Sequence, residues 1–335
     1  MRIFRGFNHP GLANACALTI GNFDGVHRGH QAMLALLRSE AQHRSIPSCV
    51  LTFEPHPRDY FAKRSGKPEL APARIANLRD KLAELEGCGV DQCVVLRFNE
   101  ALATLSAMDF LKQVLLGGLH AHYILVGDDF KFGSARMGDY DFLAHEGPNL
   151  GFDVARMNSY EVSKHDTHPN SGPSSLRVSS SAVRQALSQG LMEDAQKLLG
   201  RPYSISGHVV YGRQLGRSLN ARTLNVRFNA QRPATQGIFV VRVHGLTEKA
   251  LGGVANLGVR PTLDPNDVNK GQVLLETHIL SWPDSLPLEG GYGKIIRVEL
   301  LEKLHDELKY ESLDALQLGI QRDVDQAKAW FDAHP

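Results

Sequence analysis

His27 and His30 stand three residues apart in Gly21-Asn22-Phe23-Asp24-Gly25-Val26-His27-Arg28-Gly29-His30. The segment follows the apolar run Cys16-Ala17-Leu18-Thr19-Ile20 and precedes a helical pattern from Gln31 to Arg44. A strand, a glycine-rich turn and a helix in that order form a cradle for a triphosphate. Glycines let the backbone approach the oxygens, and the helix N-terminus aims N–H groups at them. Imidazole donors can then stabilise charge as it builds on an α-phosphate and a leaving pyrophosphate. The chemistry that fits is nucleotidyl transfer. Two other readings stay open on these residues alone. One is a zinc pair, for which no third ligand stands nearby; the other is two histidines that only cap a helix.

Such residues need a scaffold that carries the turn on a strand end. Strand-like runs at 17–20, 49–53, 93–96 and 123–126 alternate with amphipathic stretches. Ile75, Leu78, Leu82 and Leu85 fall at helical spacing, and Ser106 with Asp109 forms a capping pair for a helix to Leu116. Alternation of this type predicts a parallel sheet covered by helices, with ligand at the carboxyl ends of the strands. Ser163 to Ser175 reads as an exposed polar loop, followed by Val178-Ser179-Ser180-Ser181-Ala182-Val183-Arg184 and a helical stretch to about Leu199.

Gly200-Arg201-Pro202 breaks that texture. Beyond it strand follows strand, at 205–211, 224–228, 238–244, 251–256, 273–280 and 295–301, which predicts a small antiparallel barrel. A closing helix from Ser312 to Phe331 places Leu313, Leu316, Ile320, Val324, Ala327 and Phe331 on one face. The expected fold is α/β and then mostly β. A Rossmann-like domain with a parallel sheet spans 1–186, and a barrel domain with a C-terminal helix spans 187–335.

At 335 residues the chain has room for two cores. A formal net charge of +1 shows no large electrostatic bias, so small-molecule substrates are expected rather than nucleic acid. No obligate protein partner is evident. Cys16, Cys49, Cys88 and Cys93 form no CxxC pair, and Cys16 and Cys49 read as reduced core residues. The sequence carries neither a signal-peptide pattern nor a membrane-spanning stretch, so a cytoplasmic location without membrane attachment is expected.

Four ordered motifs narrow the reading further. They are the Gly21–His30 turn, Thr52-Phe53-Glu54-Pro55-His56-Pro57, Val126-Gly127-Asp128-Asp129-Phe130-Lys131-Phe132-Gly133 and Ser179-Ser180-Ser181-Ala182-Val183-Arg184. In order and spacing they resemble the prokaryotic bifunctional riboflavin kinase/FAD synthetase family, and the first resembles the HxGH motif of the nucleotidyltransferase superfamily. The second half adds Gly207-His208-Val209-Val210-Tyr211-Gly212, then Gly216-Arg217-Ser218-Leu219-Asn220-Ala221-Arg222-Thr223-Leu224-Asn225. Gly253-Val254-Ala255-Asn256-Leu257-Gly258-Val259-Arg260-Pro261-Thr262 and Leu275-Glu276-Thr277-His278-Ile279-Leu280 follow. These resemble the riboflavin kinase module of that family.

The resemblance implies that the first domain adenylylates FMN to FAD with release of pyrophosphate, and that the barrel phosphorylates riboflavin to FMN. ATP is the co-substrate of both steps, Mg2+ the cofactor, and riboflavin, FMN and FAD the substrates or products. It further implies that His27 and His30 are catalytic at the ATP phosphates. Gly21, Asn22, Phe23, Gly25, Ser180 and Arg184 would bind that ATP, and Gly212 and Gly216 the ATP of the kinase. Asp129, Phe130 and Phe132 are candidates for flavin contact, because a flat ring needs an aromatic or apolar surface. Core packing is the competing reading for Phe132. Glu276 stands where the family has the base that deprotonates the ribityl 5′-hydroxyl, and Thr223 and Asn225 match its pair at Mg2+ and phosphate.

One stretch departs from the family pattern. Gly-Phe-Pro-Thr-Ala-Asn is replaced by Asn220-Ala221-Arg222-Thr223-Leu224-Asn225, which loses a permissive glycine and a fixed proline φ and gains a cation. Arg222 is expected to restore part of the rigidity through a phosphate contact or a salt bridge. The departure keeps two alternatives in view: an FAD synthetase whose kinase is weakened, and a flavin-binding regulator without turnover. A transfer-RNA synthetase, which shares the HxGH-type turn, is disfavoured by the short first domain and the near-neutral charge.

Overall fold

Strands that are apolar along their whole length need cover on both faces, and β2 (Cys16–Ile20) is buried at every position. A computed structural model describes residues 1–164, 174–210, 223–228, 232–259, 273–287 and 290–335. The chain divides into two units, Met1–Pro72 with Lys81–Ser179, and Ala73–Asp80 with Ser180–Pro335.

In the first unit the order is β1 (Arg2–Arg5), β2, α1 (Arg28–His43), β3 (Ser48–Glu54), α2 (Pro57–Arg64), α3 (Leu78–Gly87) and β4 (Gln92–Arg97). Then come α4 (Glu100–Thr104), α5 (Ala107–Asp109) running into a π-helical segment Phe110–Leu116, β5 (Ala121–Gly127), α6 (Tyr140–Leu150) and β6 (Asp153–Met157). These strands form a sheet in the order β1-β4-β3-β2-β5-β6, and all neighbours run parallel. The winding reverses between β2 and β5, and a reversal of this kind opens a crevice at the carboxyl ends of the two strands. Ser106 caps α5 as expected: its Oγ accepts from Asp109 N at 3.0 Å and donates to Asp109 Oδ2 at 2.6 Å. Cys16, Cys49 and Cys93 are buried, and burial pushes the Cys93 thiol up to about 12.

Several expectations need correction. β1 and β6 escape a search for apolar runs because they are short edge strands with charged, exposed positions. The ends of the polar stretch 163–175 are not loop: β7 (Glu161–Lys164) pairs antiparallel with β8 (Ser174–Arg177), so backbone pairing overrides polar composition. Residues 165–173 lie outside the described set. The helical stretch before Leu199 is two helices, α7 (Ser180–Ser188) and α8 (Met192–Leu199), parted at Gly190, whose φ of 74° is left-handed. Ile75 is buried but precedes α3. Its neighbour Arg74 exchanges backbone hydrogen bonds with Arg232 and Ala234, which draws the segment away from the helix.

The second unit closes a barrel from β9 (Tyr203–Val210), β10 (Thr223–Phe228), β11 (Gly237–His244), β12 (Leu251–Val259), β13 (Val273–Ile279) and β14 (Ile295–His305). The strand order is β10-β13-β12-β11-β14-β9, antiparallel throughout. Val226, Leu275 and Leu257 stand opposite one another across three strands and are fully buried, so they mark the inward row. α9 (Leu313–Ala333), capped by Ser312, packs Ala327, Trp330 and Phe331 near Val240 and Val254. Leu313, expected on its apolar face, is 68% exposed because it lies in the first turn, ahead of that contact. Among the described residues no helix is long and apolar enough to cross a membrane.

Candidate active sites

The turn after β2 is strained. Phe23, Gly25 and Val26 all have positive φ, at 48°, 86° and 40°. Glycine adopts such angles freely, but a β-branched valine does not, and backbone of this kind persists only where packing over-determines it. Phe23 and Val26 are accordingly buried almost completely. Gly21 N donates to the Leu51 carbonyl at 3.0 Å, and Thr52 Oγ1 donates to the Asn22 carbonyl at 3.3 Å, so β3 pins the start of the turn. Asn22 Oδ1 is buried with no hydrogen-bond partner among the described residues.

His27 is the N-cap of α1, and its Nδ1 accepts from His30 N at 3.3 Å. A ring nitrogen that accepts carries no proton, so the ring proton sits on Nε2 and makes it a donor. The two imidazoles stack with centroids 3.7 Å apart and planes at 15°, and Phe23 closes over His30 at 4.9 Å. Burial first, then the nearness of His27 and Lys81, holds His30 well below the usual histidine range. His30 is thus a neutral imidazole whose Nδ1 is buried and has no partner among the described residues. Gly29 permits this stacking: a Cβ there would stand 3.3 Å from the His27 ring and 3.4 Å from the Val178 carbonyl.

Lys81 was missed from the sequence. It is 1% exposed, and its Nζ donates to Thr52 Oγ1 at 3.3 Å. A buried ammonium beneath the turn adds positive charge where phosphate oxygens would gather. Its signal was available, because Lys81 falls on the α3 face set by Leu78, Leu82 and Leu85. Across the crevice, Asp128 and Asp129 follow β5. Ser159 and Arg177 hydrogen-bond Asp128, and the Ser159 hydroxyl, the leading cause, holds that carboxyl below its ordinary value.

The second constellation lies on the barrel's outer surface. Asn225 of β10 stands opposite Glu276 of β13, which stands opposite Asn256 of β12. Directly paired residues point to the same side of a sheet, so the three form one lateral row. Thr223 lies two residues from Asn225 and shares its face. Asn225 is 3% exposed, while Thr223 and Glu276 are half-buried. The row offers a carboxylate and three side-chain oxygens.

Comparison with known proteins shows the family of the chain. The sequence pattern of FAD synthetase matches residues 10–169, and that of riboflavin kinase matches residues 199–331. A bifunctional riboflavin kinase/FMN adenylyltransferase from Pseudomonas fluorescens is 42% identical over 330 residues, covering 98% of this chain and 97% of the relative. The protein of that name from Escherichia coli K12 is 40% identical over 333 residues, covering 99% and 98%. The chain belongs to the bifunctional riboflavin kinase/FMN adenylyltransferase family. It is an enzyme with both domains, and ATP and flavins are their substrates. A solved structure titled a macrolide-efflux protein from Streptococcus pneumoniae aligns with TM-score 0.68 over 98% of both chains, at 23% identity. That likeness concerns the fold.

The remaining expected residues of this family member fall as follows. Phe132 is 7% exposed and joins the core with Phe110 and Phe142, so packing accounts for it. Phe130 stacks on Phe132 at 5.3 Å and is half-buried, and the Asp129 side chain is 85% exposed. Ser180 opens α7, and Arg184 Nε donates to the Ala73 carbonyl at 2.7 Å within the second unit. Gly212, Gly216 and Arg222 lie outside the described residues. A second aromatic group was not anticipated: Phe53, Tyr60, Phe61 and Phe98 meet edge-on at the carboxyl ends of β3 and β4, with Phe61 47% exposed. Between them His56, buried at 4%, caps α2 by accepting from Arg58 N.

Proposed function

We propose that the strained turn after β2 grips the ATP triphosphate for adenylyl transfer, with His27 and His30 facing the phosphates and Asn22 shaping the same turn. The observation that carries this is the strained turn at Phe23, Gly25 and Val26, which leads to the stacked rings of His27, with its Nε2–H donor, and neutral His30, near the buried Lys81 ammonium. The FMN phosphate is already an anion, so the site aligns it and stabilises charge rather than removing a proton. Phe130 and the exposed edge of the Phe61 group offer surfaces for the flat flavin ring.

In the barrel, Glu276 takes the proton of the ribityl 5′-hydroxyl, and Thr223 and Asn225 stand at the metal and phosphates. Their oxygens suit a hard cation such as Mg2+. No cluster of three or more His, Cys, Asp or Glu that could hold a metal stands among the described residues, so the cation would be shared with ATP phosphates. Held by Thr223 and Asn225 together with the phosphates, Mg2+ would supply charge neutralisation at the transferring phosphoryl group. Buried thiols suit a reducing compartment, and we place the enzyme in the cytoplasm.

Incubation with riboflavin, ATP and Mg2+, followed by chromatography of the flavins, tests the scheme. FMN and FAD are both expected. Glu276→Ala should lower FMN formation by about 10²-fold or more and spare FAD formation from supplied FMN. His30→Ala should lower FAD formation by about 10²-fold and spare the kinase. Equal loss of both activities in either folded variant would contradict separate sites.

A further inference from the structure

Asn256 shares its row with Glu276 but has no assigned part in the reaction. Directly opposed residues on antiparallel strands hold their Cβ atoms about 4.5–5.5 Å apart, so whatever touches Asn256 lies beside the Glu276 carboxylate. The Asn256 amide is held in one orientation. Its Nδ2 donates at 2.9 Å to Oε1 of Glu307, which lies beyond the end of β14, and a carboxylate can only accept. Oδ1 therefore faces away from Glu307. It is buried and has no hydrogen-bond partner among the described residues.

Gly258, two residues along the same face, makes room for this arrangement. A Cβ built there would stand 2.0 Å from Glu307 Oε1, so any larger residue would expel the carboxylate that orients the amide. The backbone and a second side chain thus both serve to present one amide oxygen. An acceptor buried without a donor is costly, and a ligand donor removes that cost. The donor must lie next to the group that Glu276 deprotonates. On a polyol tail that donor is the adjacent hydroxyl.

We propose that Asn256 is a specificity-determining residue of the kinase site, its Oδ1 accepting a hydrogen bond from the hydroxyl adjacent to the one that receives phosphate. Glu307 is the positioning residue that keeps this oxygen turned toward the substrate. The inference rests on Glu276 being the base of the kinase.

The test compares riboflavin with an analogue whose ribityl 4′-hydroxyl is replaced by hydrogen while the 5′-hydroxyl is intact. The full-length wild type should phosphorylate the analogue with kcat/KM lower by about tenfold, the size of one lost hydrogen bond in a dry site. Asn256→Ala should lose about tenfold on riboflavin, mainly through KM, and treat the two flavins alike. Glu307→Ala, altered at an exposed side chain, should fall between them with kcat nearly kept. FAD formation from supplied FMN reports that each variant is folded. Wild-type discrimination retained in Asn256→Ala, or a wild type indifferent to the 4′-hydroxyl, would overturn the inference alone. A wild type that leaves riboflavin unphosphorylated would overturn the kinase reading and this inference with it.

Discussion

At the scale of single residues, His27 serves two ends with its two nitrogens. Nδ1 closes the first turn of α1, and Nε2–H remains the donor side of the ring. The capping and phosphate readings of this histidine are therefore compatible, and one substitution separates them. His27→Asn keeps an acceptor at the cap, so stability should fall by no more than about 1 kcal/mol, while adenylyl transfer drops at least about tenfold. Urea unfolding and FAD formation from FMN measure the two effects. Lys81 invites a second experiment. Lys81→Met removes one of the causes that hold His30 low, so the ring should titrate at higher pH, seen in its NMR signals. Burial remains the leading cause, so the shift should be partial, and adenylyl transfer should weaken as the cation is lost.

At the scale of elements, α9 is tied to the barrel by His305, whose Nε2 meets Asp323 Oδ1 at 2.8 Å. Burial works against the charged ring, but the Asp323 carboxylate and the Asp306 carbonyl outweigh it and raise the His305 pKa. A raised histidine contributes stability that is full below its unfolded value, about 6.5, and is lost as pH rises through the folded value. The melting temperature should therefore decline as pH climbs above about 6.5. Asp323→Asn should flatten that decline, and an unchanged slope would show that the pair does not govern it. The helix itself was readable from Ser312, Val324 and Ala327, because capping and a 3.6-residue period are local properties. The exposure of Leu313 was not, because where the barrel surface ends is not written within the helix.

At the scale of the molecule, the chain lends a piece of its first half to the second unit. Residues Ala73–Asp80 group with the barrel. Ser206 N donates to Asp80 Oδ2 at 3.2 Å, the Ser206 hydroxyl bonds Asp80 Oδ1, and Asn77 Nδ2 donates to the Ser206 carbonyl at 3.0 Å. Asp80 is 9% exposed, and Ser206→Ala removes the hydroxyl bond to its carboxylate while the Ser206 N–H bond stays. Ser206→Ala should cost about 1–3 kcal/mol, and heat should inactivate its riboflavin kinase activity earlier than that of the wild type. A kinase as heat-resistant as the wild type would show that the segment is not anchored by this pair.

The sequence by itself determined the glycine-rich strand-to-helix turn, the alternation that demands a parallel sheet, the run of barrel strands and the Ser106 cap. Each is a property of neighbouring residues: a period, a spacing, a glycine at a bend. Tertiary structure alone decided that Lys81 lies beneath the turn, that Phe132 is spent on the core, and that Asn256 stands beside Glu276. These depend on which strands lie side by side and in what register. Such pairings are made between residues far apart in the chain, by burial and hydrogen bonding that no short window contains.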